Sequence, residues 1–450
     1  MPSSVRPDRR QFLAGAATAA ALTIVPRHVL GGPGHTAPSD MLNVAGIGVG
    51  GMGATDLANY KDEAVVALCD VDDQYAAKTF AAFPQARRYR DFRELLSAEK
   101  DLDAVTIATP DHTHAVIAMA ALETGRHVYC QKPLTHDIHE SRQLADAAAR
   151  SGRVTQMGIQ GHADEGIRLI CEWIWDGAIG EVRKVEAWCD LTYYPPGHAW
   201  WSTSCTGRPA DTPPVPDTLG WDLWLGPAAY RPYSPCYLPA VWRNWRDFGS
   251  GMLADRGCHT LDPVFTALKL DYPASVEATV TDQTSEHFPV ASIVNFRFPA
   301  REGMPPVELT WYDGLRPPSP EDLEAGRLLG ASEGGALFVG SKGKLMAGVY
   351  GESPRLIPES AMKAYKTPPR TLPRVEGHYA EFIAACRKGT PAVGAPFSYA
   401  ARLTEVILLG NIAKRFPNTP LAWDPREMRF KNHDEANRLV RTPYREGWQL

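Results

Sequence analysis

Three glycines near the start of the chain have the spacing of a loop that binds phosphate. Gly48, Gly50 and Gly53 fit the pattern G-x-G-x-x-G, and Gly51 and Met52 belong to the same loop. The first glycine would permit a tight turn, the second an approach of the backbone to a pyrophosphate, and the third close packing of a helix on a strand. Because the chain contains 38 glycines in 450 residues, this spacing alone is weak evidence.

An acidic residue follows the glycine loop at the distance expected of a ribose ligand. The apolar run 64–69 predicts a buried strand, and Asp70 comes directly after it, seventeen residues beyond Gly53. A carboxylate at this place accepts hydrogen bonds from the adenosine ribose, and Asp72 and Asp73 beside it would repel a 2′-phosphate. The sequence therefore predicts NAD in preference to NADP. The alternative is that Asp70 is a solvated turn residue.

Strands and helices alternate around and after this loop. Strand-like runs at 42–47, 64–69, 104–109 and 127–130 are separated by helical segments at 54–60 and 114–124, and a further helical segment follows at 141–150. This alternation predicts an α/β fold, with an N-terminal Rossmann dinucleotide-binding domain over residues 41–160. Thr109 and Pro110 end one strand, at the sheet edge where ligands bind. We therefore expect them to contact the cofactor, with His114 on the cofactor side. His112 and His114 have no carboxylate or cysteine partner in phase, so no metal site is predicted.

The second half of the chain predicts a different architecture. After a helix at about 164–176, strand-like segments lie at 181–192, 274–281, 291–299, 306–312, 335–340 and 344–349. They predict a C-terminal α+β domain over residues 161–420 with a large, mainly antiparallel open sheet, followed by a tail at 421–450. We expect the open face of such a sheet to pack either on the cofactor domain or on another subunit of a homo-oligomer.

Aromatic and polar residues of this half are candidates for substrate contacts. Nine of the twelve tryptophans lie between positions 173 and 245, several in a region rich in proline and glycine. Flat apolar rings suit the C–H faces of sugars, so Trp200 and Trp201 are candidates for a substrate wall; the alternative is that they pack the loop onto the domain. Gln160 and His162 follow the strand that crosses between the domains, and they are candidates for hydrogen bonds to sugar hydroxyls.

Three motifs follow one another along the chain. Residues 109–114 read Thr-Pro-x-x-x-His, residues 131–133 read Gln-Lys-Pro, and residues 251–262 read G-x-x-x-D-x-G-x-H-x-x-D. In type and order they resemble the motifs of the Gfo/Idh/MocA family of oxidoreductases, the glucose-fructose oxidoreductase and inositol dehydrogenase type, except that Gln131 replaces the glutamate of that family's Glu-Lys-Pro. The resemblance extends from about residue 42 to residue 420.

The resemblance implies that Lys132, Asp255 and His259 line the active site. Asp255 and His259 are four residues apart, so one helix would present both from one face. During oxidation of a secondary alcohol, His259 would take the hydroxyl proton because its ordinary pKa of about 6.5 lies near working pH. Lys132 would stabilise the alkoxide, with a share in the proton relay as a further role, and Asp255 would orient the imidazole or bind a neighbouring hydroxyl. Gln131 removes a charge beside the lysine and the cofactor, at a position where we also expect a cofactor contact.

Three functions are compatible with these residues. The first is NAD(P)-dependent hydride transfer at a secondary hydroxyl of a sugar, glycoside or polyol. The second is a redox-neutral glycosidase or lyase, in which transient oxidation permits elimination and the hydride then returns. The third is a non-catalytic sugar-binding protein on a dehydrogenase scaffold. The first two use one active site, so the sequence does not separate them.

Residues 1–40 are predicted to be a separate leader and linker. Arg9 and Arg10 precede Phe12, Leu13 and an Ala-rich apolar stretch that is shorter than the roughly 20 residues needed to span a bilayer. This pattern resembles a twin-arginine export signal and predicts a periplasmic or otherwise exported protein. Because free NAD should be scarce there, we expect a tightly bound cofactor.

The bulk composition excludes several classes of protein. A formal net charge of -5 gives no basic excess for nucleic acid. No other stretch is apolar and long enough to predict a membrane span. The eight cysteines are scattered without a C-x-x-C pair, which argues against a zinc ribbon, and we expect most of them to be buried apolar residues.

Overall fold

The structure is a computed structural model whose described residues are 37, 40–192, 205, 207–282, 284–390 and 394–450. The chain divides into two compact units, residues 1–41 and 42–450. In the first unit, the backbone N–H of Asp40 donates to the carbonyl oxygen of Ala37 at 2.8 Å. The second unit contains the two sheets of the fold.

The first sheet consists of six parallel strands. They are β1 (Asn43–Ile47), β2 (Ala64–Cys69), β3 (Arg87–Tyr89), β4 (Ala104–Ile107), β5 (His127–Gln131) and β6 (Thr155–Gly158). Their order across the sheet is β3-β2-β1-β4-β5-β6. β4 is buried along its whole length, which explains why its sequence does not alternate between apolar and polar residues. This strand order is that of the dinucleotide-binding fold, so the predicted Rossmann domain is confirmed.

Five helices connect these strands. They are α1 (Met52–Leu57), α2 (Ala77–Ala82), α3 (Phe92–Ala98), α4 (Asp111–Glu123) and α5 (Ile138–Ser151). A capping box starts α5, since Asp137 accepts from the backbone N–H of Glu140 and the Glu140 carboxylate accepts from that of Asp137. α4 and α5 both begin three residues before the predicted starts, because their first turns carry polar residues that mask the helical period.

The second sheet has nine strands, and its members come from the rest of the chain. They are β7 (Val182–Cys189), β8 (Ser275–Val280), β9 (Ser292–Phe298), β10 (Val307–Asp313), β11 (Gly334–Gly340), β12 (Lys344–Ala347), β13 (Arg355–Ile357), β14 (Leu421–Asp424) and β15 (Arg429–Phe430). The order is β13-β12-β11-β7-β10-β9-β8-β14-β15. Only β7 and β10 pair in parallel among these described strands, so the mainly antiparallel sheet is confirmed.

Within the described residues, eight helices accompany the second sheet. They are α6 (Glu165–Trp175), α7 (Trp221–Leu225), α8 (Gly251–Asp255), α9 (Gly257–Leu268), α10 (Glu359–Ala364), α11 (His378–Lys388), α12 (Phe397–Ala413) and α13 (Asp434–Asn437). The region 421–450, expected as a tail, supplies β14, β15 and α13, and residues beyond 441 pack back on the Rossmann part.

Two cysteines depart from the expected pattern. Six of the eight are free and buried, as expected. Cys205 and Cys236 form a disulfide, which no spacing rule predicted because the two residues are 31 positions apart.

In the part of the chain that is described, we find no helix with the length and hydropathy required to cross a bilayer.

Candidate active site

A cleft of about 640 Å³ lies along the carboxyl ends of the parallel strands. Its first wall consists of residues at or just after strand ends, namely Gly48, Gly50, Gly51, Met52, Asp70, Thr109, Pro110, Gln131 and Lys132. Its second wall comes from the other part of the unit and includes Gln160, Asp255, Arg256, His259, Tyr350 and Tyr379. The fold therefore brings the glycine loop and the three implied active-site residues to one cleft, at the edge where open α/β sheets bind ligands.

The glycine loop is too tightly packed for side chains at two positions. Gly48 has φ +79, and a Cβ there would lie 2.7 Å from the backbone nitrogen of Thr109. A Cβ at Gly53 would lie 2.0 Å from the carbonyl oxygen of Gly48. Gly53 does not border the cleft itself; it lets α1 approach β1. At Gly50, the open face is covered by the ring of Tyr75, which also lines the cleft.

Asp70 anchors the glycine loop. Its carboxylate accepts from the backbone N–H groups of Val49 at 2.8 Å and of Gly50 and Asp72 at 3.0 Å. Burial raises the pKa of Asp70 to about 6 in spite of these hydrogen bonds. A carboxylate offers about four acceptor positions, so about one remains for a ribose hydroxyl. Asp70 thus lies where the sequence predicted, with a structural role that the sequence did not show.

A cation lies at the same end of the cleft. Arg90, just after β3, lines the cleft and forms an ion pair with Asp73. Asp72 accepts from the backbone N–H groups of Gln74 and Tyr75 and so shapes the turn after β2. The acidic residues after β2 are therefore partly engaged, and the charge at this end is less negative than the sequence suggested.

Lys132 and Asp255 form the charged centre of the cleft. The Lys132 ammonium donates to the Asp255 carboxylate and, at 2.8 Å, to its backbone oxygen. Arg243 Nε lies 3.6 Å from the same carboxylate. Burial alone would raise the pKa of Asp255, but the cations Lys132 and Arg243 outweigh it and hold the pKa well below its usual range. Arg243 was missed by sequence reasoning because it belongs to no motif.

His259 is buried beside this pair, and its chemistry differs from the expectation. Burial, and then the charge of Lys132, lower the pKa of His259 well below 6.5. Its Nδ1 is buried without a hydrogen-bond partner among the described residues, and its ring lies 4.7 Å from that of Tyr350. The imidazole is therefore neutral, and the expectation of an ordinary pKa near 6.5 is wrong.

Asp255 and His259 do not share one helix. Asp255 ends α8 and His259 lies in the first turn of α9, with the break at Arg256. The Arg256 guanidinium donates to the Tyr350 hydroxyl at 3.0 Å and lies 2.9 Å from the Glu333 carboxylate. Both predicted residues still face the cleft because the two short helices meet there.

Gln131 has a carboxylate partner that the motif did not reveal. Its side-chain amide lies 3.0 Å from both oxygens of Asp56, which is fully buried on α1. The Tyr379 hydroxyl donates to Asp56 at 2.7 Å, and the Gln160 amide donates to that hydroxyl at 3.3 Å. Burial raises the pKa of Asp56 to about 6. The charge removed by a glutamine at position 131 is therefore present on the neighbouring Asp56.

Two predicted histidines form hydrogen bonds within the fold. The ring nitrogens of His114, which lines the cleft, lie 2.9 Å from the carbonyl oxygen of Thr109 and 2.8 Å from that of Pro133. Burial lowers the pKa of His114 to about 4, so the neutral ring donates to one of these two oxygens. His162 does not line the cleft; its Nδ1 lies 2.7 Å from the carboxylate of Asp262. Burial opposes the charge of His162, but Asp262 outweighs it and raises the pKa. Gln160 lines the cleft, and substrate contact by His162 stays a prediction.

Both residues of the predicted aromatic wall, Trp200 and Trp201, lie outside the described residues. Trp224, Trp242 and Trp448 line the cleft, and the sequence did not single them out because no motif contains them. No group of three or more His, Cys, Asp or Glu residues with metal-binding geometry occurs within the described ranges.

Two family models match the chain in order. "Oxidoreductase family, NAD-binding Rossmann fold" matches residues 42–159, and "Oxidoreductase family, C-terminal alpha/beta domain" matches residues 193–303. Together they span about half of the chain.

Similar proteins of named activity match the chain over shorter stretches. Inositol 2-dehydrogenase of Rhodococcus jostii is 34% identical over 149 residues, 32% of this chain and 40% of that protein. Levoglucosan dehydrogenase of Pseudarthrobacter phenanthrenivorans is 31% identical over 115 residues, 26% of this chain and 29% of that protein. The chain thus matches well under half the length of these relatives.

Solved structures share the fold at low sequence identity. The WlbA dehydrogenase of Bordetella pertussis, in complex with NADH and UDP-GlcNAcA, has TM-score 0.59 and 16% identity over 85% of this chain and 99% of that one. An inositol dehydrogenase homologue of Azotobacter vinelandii, complexed with NADH and myo-inositol, has TM-score 0.55 and 17% identity over 85% and 98%. With both family models matched in order on this fold, the protein belongs to the Gfo/Idh/MocA family of oxidoreductases and carries that family's NAD-binding Rossmann domain.

Proposed function

We propose that this protein is an NAD-dependent dehydrogenase that transfers hydride between a tightly held nicotinamide and a secondary hydroxyl of a sugar, glycoside or polyol. The observation that carries the proposal is the Lys132–Asp255 ion pair, which lies with His259 in the cleft that the glycine loop borders. The names of the similar proteins, inositol and levoglucosan dehydrogenases, favour a substrate with several ring hydroxyls.

The residues of the cleft fit a nicotinamide dinucleotide. Gly48 and Gly53 have no room for a Cβ, as a loop that approaches pyrophosphate requires. Asp70 has an acceptor position left for a ribose hydroxyl, and Gln131 and Thr109 border the other half of the cleft. When bound, NAD supplies the hydride acceptor.

The side chains of the centre divide the remaining work. Asp255 stays ionised and fixes the ammonium of Lys132, which stabilises negative charge on the substrate oxygen. Because that stabilisation makes the bound hydroxyl more acidic, a weak base suffices to take its proton. The neutral imidazole of His259 is suited to this role, and Asp255 compensates for the charge that it gains.

The test uses the purified, undialysed protein with a panel of polyols, free sugars and nitrophenyl glycosides. Absorbance of reduced nicotinamide, keto product and free nitrophenol are followed together. We expect keto product and reduced cofactor to appear in step. Release of nitrophenol over many turnovers without net reduction would instead identify redox-neutral cleavage.

A variant of the lysine tests whether the site is catalytic at all. Lys132→Met should lower turnover at least about a hundredfold, because the substrate oxygen loses its stabilising cation. Lys184→Met, at an exposed lysine of β7, is the control and should retain turnover. Unchanged turnover in Lys132→Met would favour a non-catalytic sugar-binding protein.

We propose further that the protein is exported by the twin-arginine route. The supporting observations are Arg9 and Arg10 before an apolar stretch and the Cys205–Cys236 disulfide, since disulfides persist in oxidising compartments. A variant with Arg9→Lys and Arg10→Lys should remain in the cytoplasm during cell fractionation, whereas the wild type should reach the periplasm. Equal distribution of the two proteins would contradict export by this route.

A further inference from the structure

We propose that the segment 441–450 completes the adenine end of the cofactor cleft, with the indole of Trp448 as a wall for the purine ring. The inference rests on the proposed NAD-dependent function, and it concerns how the cofactor is held. Trp448 is half-buried and borders the cleft, although it lies more than 300 residues from the glycine loop in the sequence.

The strand order identifies the end of the cleft at which Trp448 lies. Phe92, which lies beside Trp448 in the cleft, follows β3 at one edge of the sheet, and so does Arg90, which also borders the cleft. Lys132 follows β5, on the opposite side of the central β1. In this fold the acid after β2 binds the adenosine ribose, so the β2–β3 side is the adenosine side and the β5 side is the nicotinamide side.

The surroundings of Trp448 suit a flat apolar base. Its ring centroid lies 6.2 Å from that of Phe92, and the guanidinium of Arg93 lies 4.8 Å from the Trp448 ring. Val71, Ile117 and Leu223 contribute further apolar surface to the cleft. Purine rings bind to such aromatic and aliphatic surfaces by stacking and apolar contact.

The segment is fixed to two parts of the fold. On the Rossmann side, the Tyr444 hydroxyl donates to Glu140 at 2.6 Å, and the backbone N–H of Thr442 donates to Asp137 at 2.8 Å. On the other side, Arg445 donates to the carboxylate and to the backbone oxygen of Asp222, each at 2.6 Å.

These bonds join the N-terminal end of α5 to α7. Gly226 adds a further acceptor for Arg445, at 2.6 Å. Because the fold itself orders the segment, the entropy lost in ordering it does not reduce the affinity for the cofactor. This favours slow release of the cofactor. Trp448 is a binding residue in this proposal, and Arg445 is a positioning residue that acts through the segment.

The experiment compares two ligands that share different halves of NAD. ADP-ribose contains the adenosine half, and nicotinamide mononucleotide contains the other half. Binding of each is measured by calorimetry for the wild type, Trp448→Ala and Trp448→Phe, and release of NADH is followed by its fluorescence. Trp175→Ala, at a partly exposed tryptophan of α6, is the matched control.

We expect Trp448→Ala to weaken ADP-ribose binding by about 10- to 100-fold, the range typical of loss of one base–aromatic contact. NADH release should accelerate similarly, nicotinamide mononucleotide should bind as before, and Trp448→Phe should retain most of the affinity. Unchanged ADP-ribose binding in Trp448→Ala would overturn the inference, and so would an equal loss for both ligands. The retained cofactor is removed before the titrations, and failure of this cofactor-free wild type to bind ADP-ribose would overturn the proposed NAD dependence as well.

Discussion

His259 shows how the cleft changes the chemistry of a single residue. Its type suggested a proton acceptor that titrates near neutral pH, but burial and the adjacent Lys132 favour the uncharged imidazole. A group whose protonated form is disfavoured keeps its lone pair at lower pH than it would in water. The base of the proposed reaction is therefore weak but continuously available.

This leads to a prediction for the pH profile. Because the folded-state pKa of His259 lies well below 6.5, kcat/KM should stay level as the pH falls through 6.5 and should decline only at lower pH. The profile is measured with a polyol found active in the panel, and His259→Gln should remove the acidic limb together with most of the activity. An inflection at about 6.5 in the wild type would contradict the lowered pKa.

The effect of the residue type at position 131 depends on its contact with the buried Asp56. A glutamate at position 131 would lie within hydrogen-bond distance of the buried Asp56 carboxylate. Two buried carboxylates raise each other's pKa above the unfolded values. The two charges then lower the free energy of unfolding only where both carboxylates are ionised. This destabilisation is absent below about pH 4 and complete above the folded-state pKa values, and the pKa of Asp56 alone is already about 6.

We therefore expect Gln131→Glu to destabilise the protein by about 1–3 kcal/mol at pH 8 and by less at pH 4. Urea unfolding at the two pH values measures the difference. The double variant Gln131→Glu, Asp56→Asn provides the control and should recover most of the loss, since it removes the second carboxylate. A loss that does not change with pH would contradict the carboxylate pair.

At the level of secondary-structure elements, strand length and burial determine which parts of the fold were predictable from the sequence. The six strand-like segments predicted in the second half correspond to β7–β12 within three residues, because one face of each strand is apolar and buried. The remaining strands were missed for a physical reason. β3, β13, β14 and β15 have two to four residues each, too few to establish a period.

The same scale explains which site residues could be predicted. Lys132, Asp255 and His259 belong to local motifs, so their types and spacing identified them. Arg243 and Tyr379 reach the cleft from elements with no motif: Arg243 contacts Asp255, 12 residues further along the chain, and Tyr379 contacts Asp56, 323 residues before it. The positions of such residues depend on tertiary packing, which the sequence pattern does not reveal.

A prediction at this scale concerns the turn between β1 and α1. Gly48→Ala should destabilise the protein by about 2–5 kcal/mol and abolish NAD binding, because it combines a left-handed φ with a backbone clash. Gly152→Ala is the matched control: Gly152 has φ +62 but nothing within 4 Å of its added Cβ. That variant should lose only about 1–2 kcal/mol and bind NAD normally. If Gly48→Ala and Gly152→Ala changed stability equally and also changed NAD binding equally, the loop would not contact the cofactor.

At the scale of the whole molecule, the disulfide lies close in sequence to residues of the cleft. Cys236 is followed by Leu238, Pro239 and Ala240, which line the cleft. The open face of the nine-stranded sheet stays a predicted surface for homo-oligomer contacts.

The disulfide supplies the prediction at this scale. It closes a loop of 31 residues, so its loss should cost about 3–4 kcal/mol. Dithiothreitol should therefore lower the Tm of the wild type. The variant with Cys205→Ser and Cys236→Ser should start from that lower Tm and should not respond to the reductant. A wild-type Tm that is insensitive to dithiothreitol would contradict a stabilising disulfide.

The central claim is that hydride passes directly from a substrate carbon to the nicotinamide held in this cleft. The most direct test is a single turnover of the purified protein with a polyol deuterated at its ring carbons, followed by mass spectrometry of the released cofactor. The account predicts that the reduced cofactor carries deuterium and that Lys132→Met yields none. Substrate conversion by the wild type without deuterium in the cofactor would contradict it.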